Sequence, residues 1–401
     1  MRLLLMLCYV FSVIIQSAEA KNVTLRFWHS LAADGLFEEL TQEFTRQNPD
    51  IAIIITNYPT EDLKTTLIFS SLKNDAPDVV LFPSDLLGYY GVFKLGEIPE
   101  KWFSKNLDKK FIQTTGADNK TYGIPVYTGN HLMLFYNKSL IDTPATTWTE
   151  MSKQLPMIAA KGAMPLALRI NKMYWFISFL NAYGGYPIVD DRIVINRLAM
   201  VKALQAYKGL LDMQLTESNC DFECTNGRFF NGDFAYSFNG IWSLNDGKKH
   251  LGNNFAVAPL PTIDGLPLKP MRSTSVLAFP NNSLISEKSS ALLTFSIYMQ
   301  SVSVQKKLYE KMGVIPVDIN LAKEISQHSN ANKKAVMAQL DNTIDMSASP
   351  AMAALWPGMA KGVELYLANE LTDKQAVDFI EKQISHELGK INRLKAMSSN
   401  E

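Results

Sequence analysis

The stretch VTLRFWHSLAADGLFEELTQEFTRQNPDIAIIITNYPTEDLKTTLIFSSLKNDAPDVVLF, from Val23 to Phe82, decides the fold class. Val23 to Trp28 alternates with the period of two that marks a strand. After a polar break, Leu36, Phe37, Leu40 and Phe44 recur at helical spacing, and the helix stops before Asn48-Pro49. Ile51 to Ile55 is almost wholly apolar, which predicts a strand covered on both faces. Glu61 to Leu72 reads as a helix, and Asp78-Val-Val-Leu-Phe82 as a second buried strand. A β-α-β-α-β order requires parallel strands with crossover helices, so this part of the chain is α/β.

Working outward, Tyr122 to Tyr127 and Leu132 to Tyr136 predict two short strands around Thr128-Gly129-Asn130. A helix follows Thr146-Thr-Trp-Thr149 to about Ala160, Met164 to Leu168 is strand-like, and Trp175 to Ala182 and Leu198 to Leu211 read as helices. In Asn231-Gly-Asp-Phe-Ala-Tyr-Ser-Phe-Asn-Gly-Ile-Trp242, alternating Phe234, Tyr236 and Phe238 predict a half-buried strand. Asn239-Gly240 predicts a sharp turn that delivers Trp242 at the strand end. Phe255 to Pro261 and Ser275 to Phe279 are further strands. Leu292, Phe295, Met299 and Val302 line one helix ending near Gly313, and Val377, Ile380, Ile384, Leu388 and Ile391 line a long one on the surface of a lobe. At 401 residues two lobes are expected, and with no flexible linker evident they must be joined by ordered crossings.

The N-terminus has the form of an export signal. Met1-Arg2 is followed by an apolar run from Leu3 to Ile15 and an A-x-A site at Ala18-Glu19-Ala20, so Lys21 is the expected first mature residue. The run falls short of the about 20 residues needed to span a bilayer, and Cys8 lacks the small preceding residues of a lipoprotein signal. In an oxidising compartment the remaining Cys220 and Cys224 are expected to form a local disulfide. Lys plus Arg and Asp plus Glu both number 39, so no global charge favours nucleic acid or an anionic membrane. The five histidines are scattered without ligand spacing, and no metal or other cofactor is expected.

Motifs for catalysis are missing: no G-x-S-x-G, H-E-x-x-H, P-loop or G-x-G-x-x-G after a strand is present. What stands out instead is aromatic residues at strand ends and turns, namely Trp28, Phe82, Tyr127, Trp175, Trp242 and Trp356. Aromatic faces pack on the C–H faces of pyranose rings, while carboxylates and amides bind the hydroxyls. The pattern favours a binding cleft over an enzyme.

Leu25-Arg-Phe-Trp-His-Ser30, Ala76-Pro-Asp-Val-Val80, Tyr136-Asn-Lys138, Thr147-Trp148, Ala182-Tyr-Gly-Gly185, Phe238-Asn-Gly-Ile-Trp242, Ala258-Pro-Leu-Pro261 and Gly313-Val-Ile-Pro316 follow one another in an order that resembles the family 1 extracellular solute-binding proteins of ABC importers. That family includes maltose- and glycerol-phosphate-binding proteins. The resemblance implies a two-lobed α/β Venus-flytrap fold with a ligand cleft at the hinge. After a signal peptide over 1–20, residues 21–128 and 276–320 would form the N-terminal lobe, and 129–275 and 321–401 the C-terminal lobe. Crossings would fall near Thr128 to Asn130, Arg272 to Ser275 and Pro316 to Asn320.

By the same resemblance Trp242 is a sugar-stacking ring, Trp356 a second platform, Phe82 a cleft aromatic, Asp85 a hydroxyl ligand and Tyr174 a cleft tyrosine. Ser30 can approach a ligand, as in the glycerol-phosphate branch, and Arg272 and Lys172 can offer positive charge. Plain structural roles stay open: Asp85 as a helix cap, Asn130 as a turn residue, Tyr174 and Trp242 as core. Leu86, Asn130, Lys172 and Pro357 depart from the maltose-binding pattern. The expected function is capture of a carbohydrate in the periplasm by a monomer, without catalysis, and delivery to ABC-importer permease subunits in the inner membrane. The alternatives are an anionic polyol as ligand, or a ligand-sensing accessory protein for a membrane sensor kinase.

Overall fold

The computed structural model describes residues 23–30, 35–327 and 330–399; the signal peptide expected over 1–20 lies outside them. Among the described residues, eleven strands build two main sheets. In chain order they are β1 (Val23–His29), β2 (Ile51–Asn57), β3 (Val79–Pro83), β4 (Ile124–Gly129), β5 (Leu132–Asn137), β6 (Met164–Ala167), β7 (Phe234–Gly240), β8 (Phe255–Ala258), β9 (Met271–Ala278), β10 (Ile315–Pro316) and β11 (Ile344–Asp345).

The larger sheet has the order β10-β4-β9-β3-β1-β2, with β11 joined to β9. β1 runs parallel to β2 and β3, as the β-α-β-α-β pattern requires, and β9 runs antiparallel to β3 and β4. In β3, Val79 and Leu81 enter a core with Phe27, Phe37, Phe44 and Phe295, while Val80 and Phe82 enter another on the opposite face. β3 is therefore covered on both sides. β2 is not: it lies at the edge, and Ile54 is 57% exposed. An all-apolar run reads as central whether or not a neighbour covers it, and here the end of the sheet decides.

The smaller sheet has the order β8-β5-β7-β6. β7 is central, and all seven of its residues are buried, so the strand predicted as half-buried is enclosed on both faces. Two predicted helices are each split in two. The one expected from Leu292 to Gly313 is Ser289–Met299 followed by Val302–Met312, with Ser301 capping the second through its side chain. The one after Thr149 is Trp148–Lys153 followed by Leu155–Ala160.

The chain passes between the sheets in few residues. Only Asn130 and His131 separate β4 in one sheet from β5 in the other. β9 makes a second passage, between the cores: it pairs only within the larger sheet, yet Met271 belongs to the core of the smaller sheet, and Val276, Leu277 and Ala278 to those of the larger. The helices Pro350–Leu367 and Asp373–Ser399 also serve both. Leu355, Met359, Val377, Ile380 and Ile384 pack into the core of the smaller sheet, whereas Ala353, Ala354 and Ile391 pack into that of the larger. The last helix thus straddles both lobes instead of lying on one.

The two C-terminal helices approach closely because Gly358 lacks a side chain. A methyl group there would lie 2.8 Å from the Ile384 backbone nitrogen and 2.5 Å from its side chain. Gly358→Ala is expected to lower stability by about 1–3 kcal/mol, the usual cost of overpacking. Gly209, within the helix Arg197–Asp212, has nothing within 4 Å of such a methyl. Gly209→Ala is expected to raise stability by roughly 0.5–1 kcal/mol. Urea denaturation of the two variants beside the parent chain checks both signs.

Candidate ligand-binding site

At the joint between the lobes, four side chains expected at a cleft come together. Trp242 stands in the single 3-10 turn Ile241–Ser243 directly after β7, and Tyr174 in the first turn of the helix Met173–Ala182. Trp356 is carried by the helix Pro350–Leu367, and Asp85 by the 3-10 helix Ser84–Tyr89 after β3. The Tyr174 ring is central: its centroid lies 6.2 Å from that of Trp242 and 6.0 Å from that of Trp356. All three rings are half-buried. Trp175 forms the wall behind them, with its ring 6.3 Å from Trp242 and its Nε1–H donating to the Phe238 carbonyl at 2.6 Å.

The turn at Asn239-Gly240 does not form. β7 continues through both residues, and Gly240 is extended at φ −107° and ψ 166°. Glycine is needed for another reason: the Trp242 ring folds back over it, and a methyl group on Gly240 would stand 2.0 Å from a ring carbon. Asn239 is buried, and its side chain is used in hydrogen bonds to Thr225 and Asn226.

Tyr174 ties the site to both strand passages. Its hydroxyl donates to the Asn130 carbonyl and also lies 3.1 Å from the Met271 carbonyl. Burial pushes this phenol well above the usual tyrosine range, and the charge of Asp85 adds to the effect. Asn130 has left-handed backbone at φ 47°, and its side-chain amide donates to Ser273 Oγ at 2.8 Å. His131 beside it is buried, with Nε2 3.3 Å from the Val336 carbonyl. Burial is the main cause that brings this imidazole down to about 4, so it is neutral at the passage at pH 7.

Asp85 is the acidic member of the cluster. Trp356 Nε1–H donates to its Oδ2 at 2.9 Å, and burial, the largest cause, pushes the carboxyl up to about 6 despite that bond. Arg272 is held elsewhere: its guanidinium meets Asp345 in a bidentate pair, at 2.6 Å through Nε and 2.7 Å through Nη2. Two expected residues are enclosed. Phe82 is 0% exposed because the alternation of β3 turns it into a core, where its ring lies 6.3 Å from Phe93, so its expected place in the cleft is corrected. Ser30, at the end of β1, is also buried. Among the described residues, no group of three or more His, Cys, Asp or Glu side chains is gathered as a metal site requires. Asp345, Asn226 and Ser243 escaped the sequence reading, since each acts on a partner from 13 to 73 positions away and no local pattern marks such pairs.

Two α/β lobes joined by strand passages, with an aromatic cluster and a carboxylate at the joint, define a two-lobed binding protein. The chain matches the family model described as bacterial extracellular solute-binding protein over residues 39–338, and it belongs to that family. It is 23% identical over 344 residues to the maltodextrin-binding protein MdxE of Bacillus subtilis, spanning 80% of this chain and 79% of the relative. It is 22% identical over 328 residues to the sn-glycerol-3-phosphate-binding periplasmic protein UgpB of Brucella abortus, spanning 74% and 75%. Among solved structures, the maltose/maltodextrin-binding domain MalE of Bdellovibrio bacteriovorus, bound to maltotriose, superposes with a TM-score of 0.82 at 24% identity, over 91% of this chain and 100% of that one. The GacH receptor of Streptomyces glaucescens gives 0.83 at 21% identity, over 92% and 99%. The fold is theirs.

The raised Asp85 carboxyl has a testable sign. Its pKa of about 6 in the folded chain exceeds the ~3.9 of an unfolded one. The folded state therefore retains the proton between those values, and the stability this provides is lost as pH rises through about 6. Asp85→Asn keeps an acceptor for Trp356 without the charge. The variant is expected to melt at a higher temperature than the parent at pH 7 and at the same temperature near pH 4. An equal difference at both pH values would assign the effect to something other than charge.

Proposed function

We propose that this chain is exported to the periplasm by a cleaved signal peptide, captures a neutral carbohydrate at the joint between its lobes, and delivers it to the permease subunits of an ABC importer. The observation that carries this reading is the grouping of Trp242, Tyr174 and Trp356 around one another beside Asp85. Half-buried rings offer apolar faces to sugar C–H groups, and a carboxylate oxygen accepts from hydroxyls. Relatives named for maltodextrin and for glycerol 3-phosphate leave two ligand chemistries to compare. The bidentate pairing of Arg272 with Asp345 favours the neutral one, because that guanidinium already carries its counter-charge. Closure of the lobes about the passages at Asn130-His131 and β9 would bring ligand contacts from both sides, and the differential contacts drive it.

Titration of the purified mature chain with maltotriose and with glycerol 3-phosphate, followed by tryptophan fluorescence, tests the proposal. A saturable response to the sugar is expected, and a response to the phosphate alone would overturn it. Trp242→Ala should weaken sugar binding by ~1–3 kcal/mol, the scale of one buried aromatic contact. The same substitution should change the unliganded stability less, because the ring is only half-buried. If the variant unfolds instead, Trp242 is a core residue.

A further inference from the structure

Trp242 sits in a turn of three residues, too short to hold its own conformation, so its neighbours must fix the ring. On one side the Ile241 N–H donates to the His131 carbonyl at 3.1 Å. On the other, contacts converge on Asn226. Its Oδ1 accepts from Ser243 Oγ at 2.7 Å, the residue just after Trp242, and from Asn239 Nδ2 at 3.1 Å, the residue just before Gly240. Its Nδ2 donates to the Phe222 carbonyl at 3.0 Å, which fixes the orientation of the amide. The preceding residue joins in, for the Thr225 carbonyl accepts from Ser237 Oγ at 2.8 Å and Asn239 Nδ2 at 3.0 Å. Thr225, Asn226, Ser237, Asn239 and Ser243 are all buried.

Asn226 is in turn held by covalent chemistry. It lies in the π-helical turn Cys224–Arg228, a rare conformation that a single turn sustains only with support. Cys224 opens that turn and is joined by a disulfide to Cys220, with Cα atoms 5.2 Å apart. Asp221 Oδ1 accepts from the Cys224 N–H at 3.0 Å, and at the far end Arg228 pairs with Glu217 at 2.5 Å.

We propose that the disulfide-closed turn over 220–228 is a positioning bracket for Trp242, acting through Asn226. The bracket clamps both flanks of the turn that carries the ring, so the indole is set before a ligand arrives. Asn226 is a positioning residue, and its relevance to binding rests on the reading of Trp242 as a ligand platform.

Fluorine NMR of protein labelled with 5-fluorotryptophan tests the positioning without a ligand. The six tryptophans give six signals, and Trp242→Phe assigns one of them. In Asn226→Ala and in Cys220→Ser/Cys224→Ser the Trp242 signal is expected to shift or broaden, while those of the buried Trp102 and Trp148 stay in place. Ser243→Ala, a milder change, should move the same signal. An unmoved Trp242 signal in Asn226→Ala, or a common shift of all six, overturns the proposal. Maltotriose titration then links position to affinity. Asn226→Ala should weaken binding about tenfold in the parent and less than about twofold in a Trp242→Ala background, since coupled residues do not add. Equal losses in both backgrounds overturn the positioning role. Absence of maltotriose binding by the parent chain counts against the carbohydrate reading, and the fluorine spectra alone then decide the bracket.

Discussion

The passage of backbone between two separate sheets is the constraint on which this structure depends. A strand that leaves one sheet gives up its ladder, and its N–H and C=O groups must be satisfied before the next ladder begins. Here the gap is two residues, Asn130 and His131, and both of their carbonyls and the Asn130 side chain are answered from other elements. The Asn130 carbonyl accepts from the Tyr174 hydroxyl, its side-chain amide donates to Ser273 Oγ, and the His131 carbonyl accepts from the Ile241 N–H. β9 never gives up its ladder: within the larger sheet it pairs with β11 at Met271 and Arg272, then with β4 and β3, while its side chains pass from one core to the other. The passages are thereby spliced together, with Tyr174 reaching both.

The candidate site is a by-product of that splice. Tyr174 is held by the backbone of the passages, so its ring has little freedom, and Trp242 and Trp356 pack around it. An aromatic cluster in this position has two properties a binding site needs. It is fixed where it meets the scaffold, through the Tyr174 hydroxyl and the Trp356 indole, and its three rings remain half-buried. Asp85 brings the first lobe to the same place through its bond from Trp356. Tyr174, Trp242 and Trp356 each pack against the core of the smaller sheet and each stay half-buried, so burial alone does not separate a core role from a platform role at these positions.

Much of the architecture was legible in the sequence because local patterns encode it. The alternation in β1, the apolar run in β3 and the helical spacing of Leu36, Phe37, Leu40 and Phe44 were sufficient for the α/β class, and the order of short motifs along the chain pointed to the family. Errors arose where a residue's environment is supplied from far away. Ile54 looks central and lies at an edge. Phe82 looks like a strand-end ring and is core, because β3 has helices on both faces. Asn239-Gly240 has the composition of a turn, yet the pair stays in the strand: Asn239 is engaged by Asn226, in a π-helical turn 13 positions earlier, and Gly240 makes room for a ring. Arg272 looked free for an anion, and its partner Asp345 is 73 positions on. Periodicity reports which face of an element is covered, and it is silent about what covers it.

The helix Asp373–Ser399 has a consequence for how this molecule comes apart. Val377, Ile380 and Ile384 complete one core, and Ile391 belongs to the other, while Ser398 Oγ donates to the Val92 carbonyl of the larger-sheet lobe at 3.1 Å. Melting either lobe therefore strips apolar cover from the other through a shared rod, and fraying of that rod opens both. Two sheets with separate ladders thus share one helix, which couples the local stability of one lobe to that of the other.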